Sequence, residues 1–287
     1  MQTFEILKFD SFPSRLQEIA DPPEKLFVKG TLPPEEHKWL CVVGSRKYSS
    51  YGKEVCEKLI DGLRGYKVVI VSGLALGMDA IAHRAALSAK LPSVAVPGSG
   101  LDSEVLYPAT NRRLADEILK AGGALLSEFE PNFRATAWSF PQRNRIMAGL
   151  SDAVLVIEAE KRSGTLITAR LATEYNRDVF TIPGSIFSAS SAGPHMLLRL
   201  GATPITSQED LLNALGLSQT NSSTLNAKRY DDCSDDEMRV VKLLSEPLPR
   251  EELIEQLGWP ASRANAVLSL LELKGHIAES IGEIHLI

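Results

Sequence analysis

Two arginines and an asparagine stand together in the segment FPQRNR, which runs from Phe140 to Arg145. The stretch that follows, IMAGLSDAVLVIEA, has the pattern of a helical turn, a connecting turn and a buried strand. Cationic side chains this close to a core either bond to carboxylates and carbonyl groups of the fold, or face an anionic ligand beside a ring that can stack on it. Phe140, Arg143, Asn144 and Arg145 are therefore candidate binding residues, and both interpretations stay open.

Glycine follows five of the six strands that the apolar pattern predicts, with serine or arginine close by. Ligands of doubly wound sheets bind at the carboxyl ends of the strands. Glycine there lets the backbone approach a ligand, and the amides at a helix start favour anions. We therefore predict a phosphate-binding rim; the alternative is that these glycines only permit tight turns. Besides the residues of FPQRNR, its candidates are Gly44, Ser45, Arg46, Gly73, Lys161, Arg162, Ser163 and Gly164.

Short apolar strands alternate with helices from Trp39 onward, which predicts an α/β fold with a doubly wound, mostly parallel sheet. Residues 216–234 are rich in serine, threonine and asparagine and lack apolar periodicity, which indicates a linker. Three helices and two short strands follow, an outline typical of a winged-helix domain. The predicted organisation is a lead-in at 1–38, a main domain at 39–215, the linker at 216–234, and a small C-terminal domain at 235–287.

Charge is distributed unevenly along the 287 residues, whose net charge is −5. Residues 39–206 contain 19 basic and 15 acidic side chains, whereas residues 207–287 contain 7 and 14. This asymmetry favours an anionic partner for the main domain and a protein contact or regulatory role for the C-terminal one. The sequence shows no apolar run of membrane-spanning length and no signal peptide, and its three cysteines have no metal-like spacing, so we expect a cytoplasmic protein without a membrane partner.

The sequence offers little for catalysis. It contains neither a G-x-x-x-x-G-K-[ST] loop nor a G-x-G-x-x-G dinucleotide motif. Asp79 and other carboxylates near strand ends could hold a metal ion or act as bases, but Asp79 is equally suited to be a helix N-cap. It also lies one helical turn before His83, where we expect an Asp–His contact. We predict no catalytic residue, no metal and no cofactor.

Taken together, these motifs carry a family resemblance. Between roughly residues 12 and 212 the chain closely resembles the DNA-processing protein A family, DprA, also called Smf. The combination of FP-x-RNRI-x-AGLS with SGTL-x-TA is highly specific for it. The matching stretches are VVGSRKYSSYG, SGLALGMDAIAHRAAL, SVAVPGSGLD, YPATNRRL, LLSEFEP, FPQRNRIMAGLSDAVLVIEAEKRSGTLITARLA and VFTIPGSIFSASSAG.

The resemblance implies an extended Rossmann domain that binds single-stranded DNA without sequence preference. Members of the family protect incoming strands during natural transformation, help to load a RecA-type recombinase, act as homodimers and are not known as enzymes. It further implies that Arg46, Phe140, Arg143 and Arg145 belong to the DNA-binding pocket, with Ser163 and Gly164 on the same rim. Within this set we expect Arg46 and Arg143 to contact phosphate and Arg145 to bridge to the fold.

A nucleotide-processing enzyme is the alternative. Rossmann-like phosphoribohydrolases resemble the pattern PGG-x-GT-x-x-E, and Gly164-Thr165 matches its GT at a helix start. The second glycine of that pattern is absent from KRSGTLITA, and Ala169 stands where the glutamate is expected. The resemblance to DprA also has departures, since Gly193-Pro194-His195 replaces an expected Gly-Thr-Asn and the stretch before Phe140 is less basic than in relatives.

Overall fold

The computed structural model describes residues 4–217, 233–244, 248–280 and 282–286. The chain divides into two compact units, Met1–Ser218 and Gln219–Ile287. Most of the predicted linker lies outside the described residues. Among the described residues, no helix is both long enough and apolar enough to cross a bilayer.

The first unit is built on a nine-stranded sheet with the order β1-β2-β6-β5-β4-β3-β7-β8-β9. The seven strands from β6 to β9 in this order run parallel, whereas β1 and β2 are antiparallel to their neighbours. The prediction of a doubly wound, mostly parallel sheet is therefore confirmed. The strands are β1 (Glu5–Lys8), β2 (Lys25–Gly30), β3 (Lys38–Val43), β4 (Val68–Ser72), β5 (Ser93–Ala95), β6 (Ala124–Ser127), β7 (Ala153–Val156), β8 (Asp178–Thr181) and β9 (Thr203–Pro204).

Helices cover both faces of the sheet because its strands are apolar on both sides. Alternate residues of β3 enter different cores, with Trp39 and Cys41 in one and Leu40 and Val42 in the other. The helices are α1 (Ser14–Gln17), α2 (Ser50–Asp61), α3 (Met78–Ser88), α4 (Arg112–Lys120), α5 (Ser139–Leu150), α6 (Thr165–Glu174), α7 (Ala192–Arg199) and α8 (Gln208–Ala214). The first core includes residues of α1, α5, α6 and α7, and the second includes residues of α2, α3 and α8.

The strand order reverses between β3 and β7. From β3 the chain continues to β4, β5 and β6 on one side, then returns to β7, β8 and β9 on the other. Connections on either side of such a reversal diverge and leave a crevice at the carboxyl ends of the two central strands. This crevice is where the fold itself provides room for a ligand.

The predicted lead-in at 1–38 contributes to the sheet of the first unit. Its strands β1 and β2 pair with each other, and β2 continues the ladder onto β6. Leu16 and Ile19 are buried and lie against Gly149 of α5, where a larger side chain would collide with them. The segment has no core of its own and is stabilised by the core of the main domain.

Helix α5 contains the whole FPQRNR segment. The sequence suggested a helical turn only from Ile146, but the helix begins at Ser139 and places Pro141 in its first turn. Proline is tolerated there because the first amides of a helix have no intrahelical acceptor. Consequently Phe140, Arg143, Asn144 and Arg145 project from one rigid helix rather than from a loop.

The second unit has the predicted winged-helix arrangement. Its helices are α9 (Asp235–Leu243), α10 (Arg250–Leu257) and α11 (Ala261–Leu273). Strands β10 (Leu248–Pro249), β12 (Glu283–Leu286) and β11 (Ile277–Ser280) form a small antiparallel sheet in that order. A separate apolar cluster that includes Val240, Leu253 and Leu268 fills its interior. Of the leucines of α11, Leu268 and Leu271 lie in this core, whereas Leu270 and Leu273 are exposed.

Candidate nucleic-acid interface

A groove of about 670 Å³ opens at the carboxyl ends of β3 and β7, at the point where the strand order reverses. Three segments build most of it: the loop after β3, the loop before α6, and one face of α5. The groove brings together most of the residues predicted for the rim. Its lining includes Gly44, Ser45, Arg46, Lys47, Phe140, Arg143, Asn144, Arg162, Ser163 and Gly164.

Arg46 and Phe140 form the part of the groove best suited to a nucleotide. Arg46 is exposed, and its guanidinium carbon lies 5.3 Å from the centroid of the Phe140 ring. Phe140 is half-buried, because its ring rests on Gly98, where a Cβ atom would lie 2.6 Å from the ring. The Tyr107 ring lies 5.6 Å from that of Phe140 and is 46% exposed. A cation and two accessible rings thus stand side by side, as single-strand binding requires.

The turn after β3 fixes the position of Arg46. The Ser45 hydroxyl donates to the carbonyl of Lys47 (2.6 Å) and accepts from its amide (3.0 Å). The Ser45 carbonyl accepts from the amide of Met78, and that of Gly44 accepts from the Thr165 hydroxyl. A side chain at Gly44 would collide with Met78. Gly44 and Ser45 therefore shape the turn, while Arg46 and the exposed Lys47 provide its positive charge.

Arg143 is a buried anchor, which corrects the prediction that it contacts phosphate. It is 5% exposed, and its Nη1 donates to the carbonyls of Gly73 (2.6 Å) and Val96. Its Nε donates to Oδ1 of Asn144 at 2.9 Å. A Cβ atom at Gly73 would overlap the guanidinium, so this glycine makes room for it. The Gly73 and Val96 carbonyls lie just after the ends of β4 and β5, outside the sheet hydrogen bonds. Because Arg143 donates to both, it joins the loops that follow these two strands beneath the groove.

Asp79 lies beside Arg143 in the interior, with 3.9 Å between its Oδ2 and Nη2 of the arginine. The carboxylate accepts from the amides of Gly73 (3.2 Å) and Ala75 (3.3 Å). Burial raises the pKa of Asp79, and the charge of Arg143 opposes that rise. The helix N-cap is Gly77, so the N-cap prediction for Asp79 was wrong.

The predicted contact between His83 and Asp79 is replaced by a contact with Ser93. The Nδ1 atom of His83 lies 2.8 Å from the hydroxyl of Ser93, on the neighbouring strand β5. The side chain is fully buried, and burial lowers the pKa of His83 to about 3. The histidine is therefore a neutral core residue at ordinary pH.

Asn144 and Arg145, like Arg143, connect α5 to neighbouring parts of the fold. The Asn144 amide lies 3.5 Å from the carbonyl of Gly164 and so connects α5 to the loop before α6. Arg145 donates through Nη2 to Glu128 (2.5 Å), and its Nε lies 3.4 Å from Asp21 of the lead-in. Arg145 thus bridges to the fold, as predicted. The Arg145 charge is therefore paired with carboxylates of the fold and is not free for a ligand.

The loop before α6 is the second source of positive charge. Lys161 and Arg162 are exposed, and Gly164 has open space around its α-carbon. The Ser163 hydroxyl accepts from the amide of Thr165 at 3.2 Å, which closes the start of the helix. The loop therefore presents two exposed cations beside a helix N-terminus, a combination that favours an anion.

Two more carboxylates follow β7: Glu160 is exposed and lines the groove, whereas Glu158 is buried and bound within the fold. Glu158 is 4% exposed and accepts from the amide and hydroxyl of Ser49 (2.9 and 2.5 Å) and from the hydroxyl of Ser190 (3.0 Å). It pairs with hydroxyl groups rather than with an arginine of the rim. Within the described parts of the chain, no group of three or more His, Cys, Asp or Glu residues could hold a metal ion.

Sequence reasoning missed two residues of the interface, Lys47 and Tyr107. Lys47 directly follows Arg46 in a loop already assigned to the rim, so its charge could have been included from the sequence. Tyr107 lies more than 30 residues from Phe140 in the chain, and only the fold brings the two rings together.

Comparison with known proteins agrees with this architecture. The family model for DNA recombination-mediator protein A matches residues 4–216, and that for the DprA winged helix domain matches residues 227–282. Protein Smf of Escherichia coli is 40% identical over 93% of this chain and 72% of its own length. The DNA processing protein DprA of Streptococcus pneumoniae is 47% identical over 73% of both chains.

Solved structures of relatives show the same fold. The crystal structure of DprA from Streptococcus pneumoniae aligns with a TM-score of 0.69 at 45% identity and covers 74% of each chain. The structure of DprA from Helicobacter pylori, a protein that binds single-stranded DNA, aligns with a TM-score of 0.66 at 31% identity and covers 74% of this chain and 95% of that one. The chain belongs to the DprA family of DNA recombination mediators.

Proposed function

We propose that this protein binds single-stranded DNA without sequence preference through the groove between β3 and β7. The observation that carries the proposal is the Arg46 guanidinium against the Phe140 ring, with Tyr107 exposed beside it. Arg46 neutralises a phosphate while the rings stack on bases, and neither interaction depends on base identity. Lys47 and Arg162 add charge within the same groove, and the exposed Lys161 directly precedes Arg162 in the loop before α6.

Membership of the family supports a proposal for the wider role. The protein protects incoming single strands during natural transformation and helps to load a RecA-type recombinase onto them. It acts as a homodimer in the cytoplasm, where its three cysteines stay reduced. The relative from Helicobacter pylori binds single-stranded DNA, which supports the proposed protection of single strands. Sedimentation with and without oligonucleotide tests the dimer, and the rate of recombinase filament formation on the bound strand tests loading.

We further propose that the protein is not an enzyme. The alternative of a phosphoribohydrolase relies on the Gly164-Thr165 pair, but the Thr165 hydroxyl donates to the Gly44 carbonyl at 3.1 Å. The position where that class carries its glutamate holds the buried Ala169. Release of free base from nucleoside monophosphates, measured by chromatography after incubation with the protein, would restore the enzymatic alternative.

Binding is tested by fluorescence polarisation with labelled oligo-dT over a range of salt concentrations. Each phosphate that a cation neutralises contributes about −0.7 to the slope of log binding constant against log salt concentration. Four exposed cations therefore predict a slope near about −3. In the variant with Arg46→Ala and Arg162→Ala, affinity drops and the slope flattens by about 1.4. Arg170→Ala is the matched control, because Arg170 is exposed and pairs with Glu174 on α6. Equal slopes for the double variant and the control would contradict the proposal.

A further inference from the structure

The loop that follows β8 exposes two large apolar side chains. Ile186 is 80% exposed, and Phe187, at 93%, is more exposed than any other large hydrophobic residue among those described. Burying a phenylalanine contributes roughly 1.5–3 kcal/mol, and this side chain contributes almost none of it to the fold. An aromatic ring held in solvent on a functional edge indicates a binding surface.

Hydrogen bonds hold the backbone of this loop on both sides of Phe187. Before it, the carbonyl of Pro183 accepts from the Tyr51 hydroxyl at 2.9 Å. After it, the Ser190 carbonyl accepts from the Ala159 amide at 2.8 Å, and the Ser190 hydroxyl donates to the buried Glu158 at 3.0 Å. The amide of Phe187 itself donates to the Ser185 hydroxyl. The ring is therefore presented from a defined backbone rather than from an unanchored loop.

The loop lies on the same edge of the sheet as the groove. Strand β8 is two positions from β3, whose following loop carries Arg46, and four positions from β5, over whose following loop the Phe140 ring rests. At about 4.8 Å between neighbouring strands, these separations correspond to about 10 Å and about 19 Å along the edge. Along this edge the Phe140 ring therefore comes first, Arg46 next and the Phe187 ring last. Lys161 and Arg162 follow β7, which lies between β3 and β8.

We propose that Phe187 is a second base-stacking platform, which receives single-stranded DNA as it leaves the groove. This rests on the proposed function and extends it to a path along the carboxyl edge from Phe140 past Arg46 to Phe187. Alternating rings and cations match a strand whose bases and phosphates alternate. Stacking uses the face of the ring and accepts any base, so the second platform keeps the binding independent of sequence.

Affinity for strands of two lengths tests the platform. With oligo-dT of about twelve nucleotides, Phe187→Ala weakens binding by about 5- to 150-fold, whereas Phe187→Trp retains it. With a strand of about four nucleotides, which the groove alone can hold, Phe187→Ala binds like the unchanged protein. Leu273→Ala is the matched control, because Leu273 is 85% exposed and belongs to the second unit.

Fluorescence of the Phe187→Trp variant reports stacking directly. Oligo-dT quenches the added tryptophan, and an abasic strand of equal length and charge does not. Unchanged affinity of Phe187→Ala for the longer strand, while Arg46→Ala still weakens binding, overturns the second platform and leaves the proposed function intact. A change in sedimentation of Phe187→Ala without DNA also overturns it, because the loop then contacts protein. Unchanged binding by Arg46→Ala would instead count against the proposed function.

Discussion

Replacing Arg143 by methionine separates a structural role from a DNA contact. Methionine keeps much of the apolar volume but removes the charge and the donors. The carbonyls of Gly73 and Val96 and the Oδ1 atom of Asn144 then lose their donor. Each unpaired buried acceptor costs about 1 kcal/mol or more, and Asp79 loses its buried counter-charge. We expect the free energy of unfolding to fall by about 3–5 kcal/mol.

The pH dependence of this loss has a defined sign. Without Arg143, the pKa of the buried Asp79 rises further, so the folded variant takes up a proton more readily than the unfolded chain. Stability contributed by a raised pKa is present at low pH and is lost as pH rises through the folded pKa. The difference between Arg143→Met and the unchanged protein is therefore larger at neutral pH than in mild acid.

Urea unfolding followed by circular dichroism measures the loss, and polarisation titrations of the folded protein measure DNA binding. Arg46→Met is the matched comparison: its stability stays within about 0.5 kcal/mol, but its salt slope flattens by about 0.7. Arg143→Met shows the reverse, a large loss of stability with an unchanged salt slope. If Arg143→Met were as stable as the unchanged protein and its slope flattened, Arg143 would be a phosphate ligand and the assignment as an anchor would be refuted.

Three further predictions concern the fold around the groove. The pKa of His83 is lowered to about 3 from an ordinary 6.5, so the stability contributed by its neutral form is complete above pH 6.5 and is lost as pH falls. In urea titrations the free energy of unfolding should be lower by about 2 kcal/mol at about pH 5 than at neutral pH, and His83→Gln should remove this pH dependence. Gly73→Ala should destabilise by about 1–3 kcal/mol through collision with Arg143, whereas Gly164→Ala, which meets no atom within 4 Å, should leave thermal unfolding unchanged. Glu158→Ala should lower the melting temperature by several degrees, because two serine hydroxyls lose their acceptor.

The strand ends could be predicted from the sequence because local patterns determine them. Runs such as KVVIVSG are apolar on both faces, and glycine follows most of them. Once the strands are assumed to be parallel, their loops must meet on one edge, so the strand pattern alone places Arg46, Arg162 and Gly164 together. The winged-helix outline was predictable for the same reason, because its helices and hairpin are short and consecutive.

Arg145 was predicted correctly as a bridge to the fold, whereas the role of Arg143 could not be predicted, because its partners are remote in the chain. Arg143 bonds to carbonyls 70 and 47 residues away, and Arg145 bonds to a carboxylate 17 residues away. In the same way, His83 contacts Ser93 on another strand instead of Asp79 on its own helix. Spacing along a helix shows which residues share a face, but the elements packed against that face decide which bond forms.

The ties made by Arg143, Asn144 and Glu158 have a thermodynamic consequence. They fix the loops around the groove in advance, so a single strand that binds as proposed supplies nearly all of the conformational entropy that is lost. A strand whose bases stack strongly on one another must also give up that stacking to lie on protein rings. For such a pre-organised surface, preferences among homopolymers reflect the stiffness of the DNA, with oligo-dT bound more tightly than oligo-dA although no base edge is read.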